Sequence, residues 1–334
     1  MKKYMSIVIF LVLQGCANLQ NNAAFDSSLY SGNSIDNLPS AKPAQNEVEA
    51  IARGDKALMA DKVDLALYEY IRSLGFKKRE FADKTLMAIG DIHQSRGNLL
   101  LAEKAYLRAT EVNSDNALAF EKLGVLYSRN KNIANGRMYF YRSVNADQIR
   151  LNNSHTTLFA NNENGVTILD VERLKFDSAS PIQTYIGLGI LADVNNDMEL
   201  AQAYYHIALA INPSSLLAKQ NLGYSYYMQG NDKQALFYTR QVVEQQTDNK
   251  RAINNLALIY LRQGQENHAL NVLNRVMPEY EALNTVGYLL MLDQKQQKAI
   301  DFFKQAINKN PAYYQIANDN LKRARVELEA KEMA

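Results

Sequence analysis

Apolar residues recur along this chain at helical spacing, and the recurrence itself repeats. Tyr185, Leu188 and Ala192 fall on one face of a helix, because residues three, four and seven apart align. Asn195-Asn196-Asp197 then makes a polar turn, and Ala201, Tyr205 and Ala208 mark one face of a second helix that Pro213 cannot continue. Gly189, Ala201 and Ala208 are small where two helices must come close, and Tyr205 fills the space between them. The pattern returns 34 residues on at Leu222-Gly223, Tyr226 and Ala235, and after another 34 at Leu256-Ala257, Tyr260 and Ala269. Gly230-Asn231-Asp232 and Gly264-Gln265 make the corresponding turns.

This signature and its period resemble the tetratricopeptide repeat. Leu283, Val286-Gly287, Leu290, Ala299, Phe303, Ala306 and Pro311 give a further unit, beginning four residues early. Upstream, Leu86, Ile89-Gly90, Gly97, Ala102, Tyr106 and Ala109 give one; Phe120, Leu123-Gly124, Tyr127, Gly136 and Phe140 give another; Gly54, Ala57, Ala66, Tyr70 and Ser73 give the faintest. One helix pair cannot bury its apolar stripe alone, so the pairs must stack. The expected fold is all-α: a solenoid of about seven helix pairs, three over 47–150 and four over 182–311, with a capping helix over 312–334 whose polar face suits a terminal repeat.

Residues 151–181 break the array. Leu151 to Phe159 and Val166 to Val171 flank Asn164-Gly165, a pair that favours a turn with positive φ. An irregular or hairpin insert is expected, with a decayed repeat helix from Leu169 to Phe176 as the alternative.

The first 15 residues carry a different pattern. A basic start, Lys2-Lys3, precedes an apolar stretch from Tyr4 to Leu13, which is too short for the roughly 20 residues a bilayer requires. It ends at Leu13-Gln14-Gly15-Cys16, and Cys16 is the only cysteine. These residues resemble the lipobox of bacterial lipoproteins. The resemblance implies cleavage before Cys16, acylation of Cys16, and, with Asn18 rather than aspartate two positions on, the outer membrane. Several acyl chains together anchor stably. Residues 16–46 are polar and without period, and a flexible tether is expected there.

Composition narrows function mainly by exclusion. The chain has 37 basic against 35 acidic residues, and two of the basic ones lie in the leader, so no nucleic-acid footprint is expected. There is no phosphate-cradling Gly-rich loop, no His-Glu-x-x-His and no cysteine pair. A non-enzymatic scaffold without cofactor or metal is expected, its only prosthetic group being the lipid on Cys16. The histidines, His93, His155, His206 and His268, are dispersed, and His93 occupies the repeat position of Tyr127, Tyr226 and Tyr260.

The first helix of each pair lines the concave face in such solenoids. On it fall Gln220, Asn221, Tyr224, Tyr227 and Met228, then Asn254, Asn255, Leu258 and Arg262, then Asn284 and Tyr288. Asparagines there can hold the backbone of an extended peptide above aromatic floors. In related tetratricopeptide domains an asparagine matching Asn221 and Asn255 does this, whereas the Lys and Arg set that clamps a terminal carboxylate is not matched.

The second half carries Ser180-Pro181, Thr184 to Asp193, Gln220 to Tyr227, Arg251 to Leu258, Asn284 to Tyr288 and Pro311-Ala-Tyr-Tyr. Over 180–320 this is similar to the TadD lipoproteins of tight-adherence (Flp, type IVb) pilus systems. The resemblance implies an outer-membrane lipoprotein facing the periplasm that helps assemble or localise the pilus secretin. The competing expectations are an adaptor for peptidoglycan hydrolases or another envelope complex, and an enzyme with its centre in 151–181, which is too short for a catalytic core.

Overall fold

The computed structural model describes residues 25–32, 42–153, 165–310 and 312–333. The leader, Cys16, the turn residues before Gly165, and Pro311 lie outside them. The described residues are helical, with no strand among them. Two compact units divide the chain between Asn113 and Ser114.

The first unit holds α1 (Glu47–Met59) with α2 (Val63–Ser73) and α3 (Ala82–Ser95) with α4 (Leu99–Val112). The second holds α5 (Ala117–Arg129) with α6 (Ile133–Arg150), the short α7 (Ile168–Glu172), then α8 (Ile182–Val194) with α9 (Met198–Ile211). It continues with α10 (Leu216–Gln229) and α11 (Asp232–Gln245), α12 (Lys250–Arg262) and α13 (Glu266–Leu273), and α14 (Glu279–Leu292) and α15 (Gln296–Lys309). The last helix, α16 (Gln315–Glu332), packs against α15 through Ala317 and Ala324, which are fully buried.

The pairs close through one recurring contact. A methyl group placed on Gly189 would stand 2.5 Å from the Tyr205 ring, so the helices meet at this distance only because position 189 has no side chain. The same contact joins Gly54 to Tyr70, Gly90 to Tyr106, Gly124 to Phe140 and Gly287 to Phe303. Each tyrosine also donates its hydroxyl back to the first helix, Tyr205 to Asp193 at 2.7 Å, Tyr70 to Asp55 at 2.7 Å and Tyr106 to Asp91 at 2.6 Å. The turn predicted at 195–197 forms with Asn196 at φ 64° and the Asp197 carboxylate capping Leu200 at 3.1 Å.

Two segments outside the repeats fold otherwise than expected. The hairpin's second arm is not a strand but a short helix, α7, overlapping the Leu169 to Phe176 stretch of the alternative reading and ending at Glu172: Thr167 and Asp170 form a capping box that starts it, an interaction of helix starts. Val171 and Leu174 then enter the core of α8 and α9. The Gln148 side chain pins the segment by bonding both the carbonyl and the N–H of Lys175, at 2.8 and 3.0 Å. Arg150 holds Asp177 through two bonds of 2.7 and 2.8 Å. The second departure lies within the segment expected to be free tether. Residues 25–32 are seated on α2, α3 and α4, because Phe25, Leu29 and Tyr30 give this otherwise polar stretch apolar side chains to bury.

The insert leaves the stacking intact because α8 starts on a buried acid. Glu121 of α5 accepts the Thr184 N–H at 3.0 Å, and Thr184 donates to Ser143 at 2.8 Å. Burial pushes the Glu121 carboxyl up to about 7.

Two outcomes follow. Gly189→Ala should destabilise the second unit by about 1–3 kcal/mol through overpacking, seen as a lowered denaturant midpoint. Combined with Tyr205→Leu it should cost less than the sum of the single changes, and strict additivity would show that the ring is not the obstacle. The second concerns pH. A carboxyl whose folded pKa lies above its unfolded value gives stability that is present below the unfolded pKa and lost as pH rises through the folded one. Stability of the wild-type second unit should therefore fall between about pH 4.5 and 7, and Glu121→Gln should flatten that slope in melts taken across the range.

Candidate functional site

The first helices of consecutive pairs, α10, α12 and α14, carry every groove residue expected from the sequence. Side chains reach that face because the opposite stripe of each helix is committed to the core: Leu222 and Gly223 in α10, Ala252, Leu256 and Ala257 in α12, Val286, Gly287 and Leu290 in α14. The remaining stripe faces outward.

On α10 and α12 the structure draws three of the expected residues, Tyr224, Tyr227 and Arg262, into one cluster. The Arg262 guanidinium lies 3.9 Å from the centre of the Tyr227 ring, a cation–π geometry. It also donates to the Tyr227 carbonyl at 2.5 Å and forms an ion pair with Asp232. A cation so held keeps one orientation, and its Nε is buried without a partner. Tyr224 stacks beside Tyr227 with ring centres 6.2 Å apart and is itself exposed, as is Met228. Burial pushes the Tyr227 phenol above its ordinary range, so it remains a neutral donor.

Asn221 lies on the same helix, and its side-chain nitrogen is buried with no hydrogen-bond partner. A buried unpaired donor costs about 1–3 kcal/mol, and a bound peptide carbonyl would relieve that cost. Gln220 is already engaged, accepting from the Asn249 side chain at 3.1 Å. Asn254 is exposed, and Asn255 and Leu258 are half-buried on α12.

The far end of the face differs from expectation. Asn284 is buried, and its side-chain oxygen accepts from Asn320 of α16 at 3.0 Å. The capping helix therefore occupies the place assigned to a ligand there, because α16 must cover the last pair and brings a polar residue to do it. Tyr288 stays exposed.

The sequence missed a cavity in the first unit. Between α1 and α3 a space of about 380 Å³ is lined by Val48, Ile51, Ala52, Phe81, Lys84 and Thr85, among others. The Thr85 hydroxyl at its wall is buried and unpartnered, and Phe81 is partly exposed with the Lys84 ammonium 5.8 Å from its ring centre. Val48 and Ile51 belong to the unit with the faintest repeat signal, where no period marks an inner face.

The dispersed histidines serve packing and seams. His93 is fully buried, with Nε2 2.8 Å from the Leu29 carbonyl; burial pushes its pKa down, so the ring is neutral with Nε2 as donor. His206 and His268 lie beside Tyr226 and Tyr260, and His155 lies outside the described residues. Among the described residues no three His, Cys, Asp or Glu side chains group as metal ligands would, and no helix is long and apolar enough to cross a membrane.

Tetratricopeptide-repeat families match the chain at 87–148 and at 218–248. A tetratricopeptide-repeat protein from Parabacteroides merdae ATCC 43184 superposes with a TM-score of 0.50 at 14% identity, covering 84% of this chain and all of that one. PilW, described as a widely conserved type IV pilus biogenesis factor, superposes with a TM-score of 0.50 at 16% identity, covering 73% of this chain and all of that one. No curated protein matches the chain in sequence. The fold is a tetratricopeptide-repeat solenoid, an architecture that presents surfaces to protein and peptide partners.

Proposed function

We propose that this tetratricopeptide-repeat protein is a lipid-anchored scaffold of the outer membrane, facing the periplasm, which captures an extended segment of a partner and assembles or localises the secretin of a tight-adherence pilus. The observation that carries the binding function is the buried, unpartnered amide of Asn221 beside the exposed ring of Tyr224 and the fixed cation of Arg262. An unmet donor, an aromatic surface and a locked guanidinium on one face suit a peptide backbone with an acidic or carbonyl group directed at Arg262. The pilus assignment rests on the TadD-like residues over 180–320 and on the lipobox ending at Cys16, and likeness in fold to a pilus biogenesis factor is in keeping with it.

Asn221→Ala combined with Tyr224→Ala should weaken partner capture at least about tenfold, equivalent to 1.4 kcal/mol. One change removes a donor that nothing in the fold satisfies, and the other removes an exposed ring, so the melting temperature should hold. Pull-down and melting measured together decide the point. Full capture by the folded double variant would place the partner elsewhere, and a collapsed melt would make these residues structural.

The cellular role has its own test. Wild-type protein should label with palmitate and fractionate with the outer membrane, Cys16→Ala should do neither, and a deletion strain should lose secretin multimers. Normal multimers and piliation with altered peptidoglycan hydrolysis would favour the hydrolase adaptor instead.

A further inference from the structure

Residues 25–32 make an unusual use of a stretch that composition assigns to a tether. The Phe25 ring lies 5.4 Å from that of Tyr68 on α2. Asp26 forms an ion pair with Arg108 on α4, and the Lys104 ammonium of the same helix donates to the Ser28 carbonyl at 3.4 Å. Leu29 is fully buried, and its carbonyl accepts from His93 of α3 at 2.8 Å. Asn98 donates to the Ser31 hydroxyl at 3.2 Å. The segment 25–32 thus makes contact with three helices through an aromatic pair, an ion pair, a buried leucine and three further hydrogen bonds. Unseating them would expose Leu29 and strip the buried His93 imidazole of its acceptor, so the seat is held by both terms.

We propose that this docked segment sets the reach of the membrane anchor, an inference that rests on the lipidation of Cys16 argued above. Cys16 and Phe25 are nine positions apart, whereas Cys16 and Glu47, where α1 begins, are 31 apart. At about 3.4 Å per extended residue, seating shortens the greatest distance between anchor and folded body from about 105 Å to about 30 Å. The first unit is held close to the membrane surface, and the link leaves it from the seam of α2, α3 and α4 rather than from the start of α1.

The test is positional. Lipidated full-length chain carries a donor dye on Leu100→Cys, an exposed site on α4, in vesicles containing acceptor-labelled lipid; acylated Cys16 offers no competing thiol. A glycine/serine insertion of about twenty residues, which behaves as a flexible coil, is placed either between Ala24 and Phe25 or between Asp36 and Asn37. The expected result is reduced energy transfer for the first insertion and unchanged transfer for the second. In a Leu29→Asp background the second insertion should reduce transfer as well. Equal reductions at both positions in otherwise wild-type protein would overturn the proposal while leaving the anchor intact. Wild-type chain that does not bind vesicles would overturn the anchor and the proposal with it. Should Leu29→Asp lower the melting of the first unit, the two insertions in the wild-type background still decide.

Discussion

The structure depends on an aromatic ring packed against a missing side chain. In five pairs a glycine on the first helix faces an aromatic on the second, at a distance no Cβ would allow. That contact fixes the separation within a pair, and the separation within pairs fixes which stripes remain for the neighbouring pair and which face outward. The α10–α11 pair reaches the same end differently, with Gly223 set against Thr239, a smaller and polar neighbour. The constraint is therefore closeness at that position rather than any one chemical partner.

A second regularity runs along the seam between the two helices of a pair, near the end of the first. Tyr127 stacks on Tyr139 at 5.3 Å, Tyr226 on Tyr238 at 5.8 Å, and Tyr260 packs on His268 at 5.3 Å. Where the repeat position holds His93, Leu29 comes in from the N-terminal side. Where it holds Ala192, Gly165 and Val166 of the insert line the space beside it. The two non-repeat segments thus lie where the repeat itself leaves the seam unfilled.

This explains what the sequence could and could not disclose. The helix pairs were legible because their defining contact repeats, so each copy reinforces the reading of the next. Arg262 and Tyr227 were legible as groove residues from their helical phase, but their mutual stacking was not, since it joins positions 35 apart on different helices. Asn284 has the same helical phase as a groove asparagine, and only the tertiary placement of α16 brings Asn320 over it. The docking of residues 25–32 has no period at all. Its signal is three apolar side chains in a polar stretch, which composition averages away.

The stem of the insert carries a consequence for how this chain can change. Asn153 is buried and donates to Gln148 and to the Arg173 carbonyl, at 2.6 and 3.2 Å. The outgoing strand of chain is thereby clasped to the returning one, while Glu121 independently holds the start of α8. Asn153 and Gly165 are thus two fixed points, and for any flexible link between fixed points a doubling of length costs only about 0.6 kcal/mol in closure entropy. The repeat array pays nothing in register for whatever this position acquires. An insertion at this position leaves both anchoring contacts, and with them the start of α8, where they are.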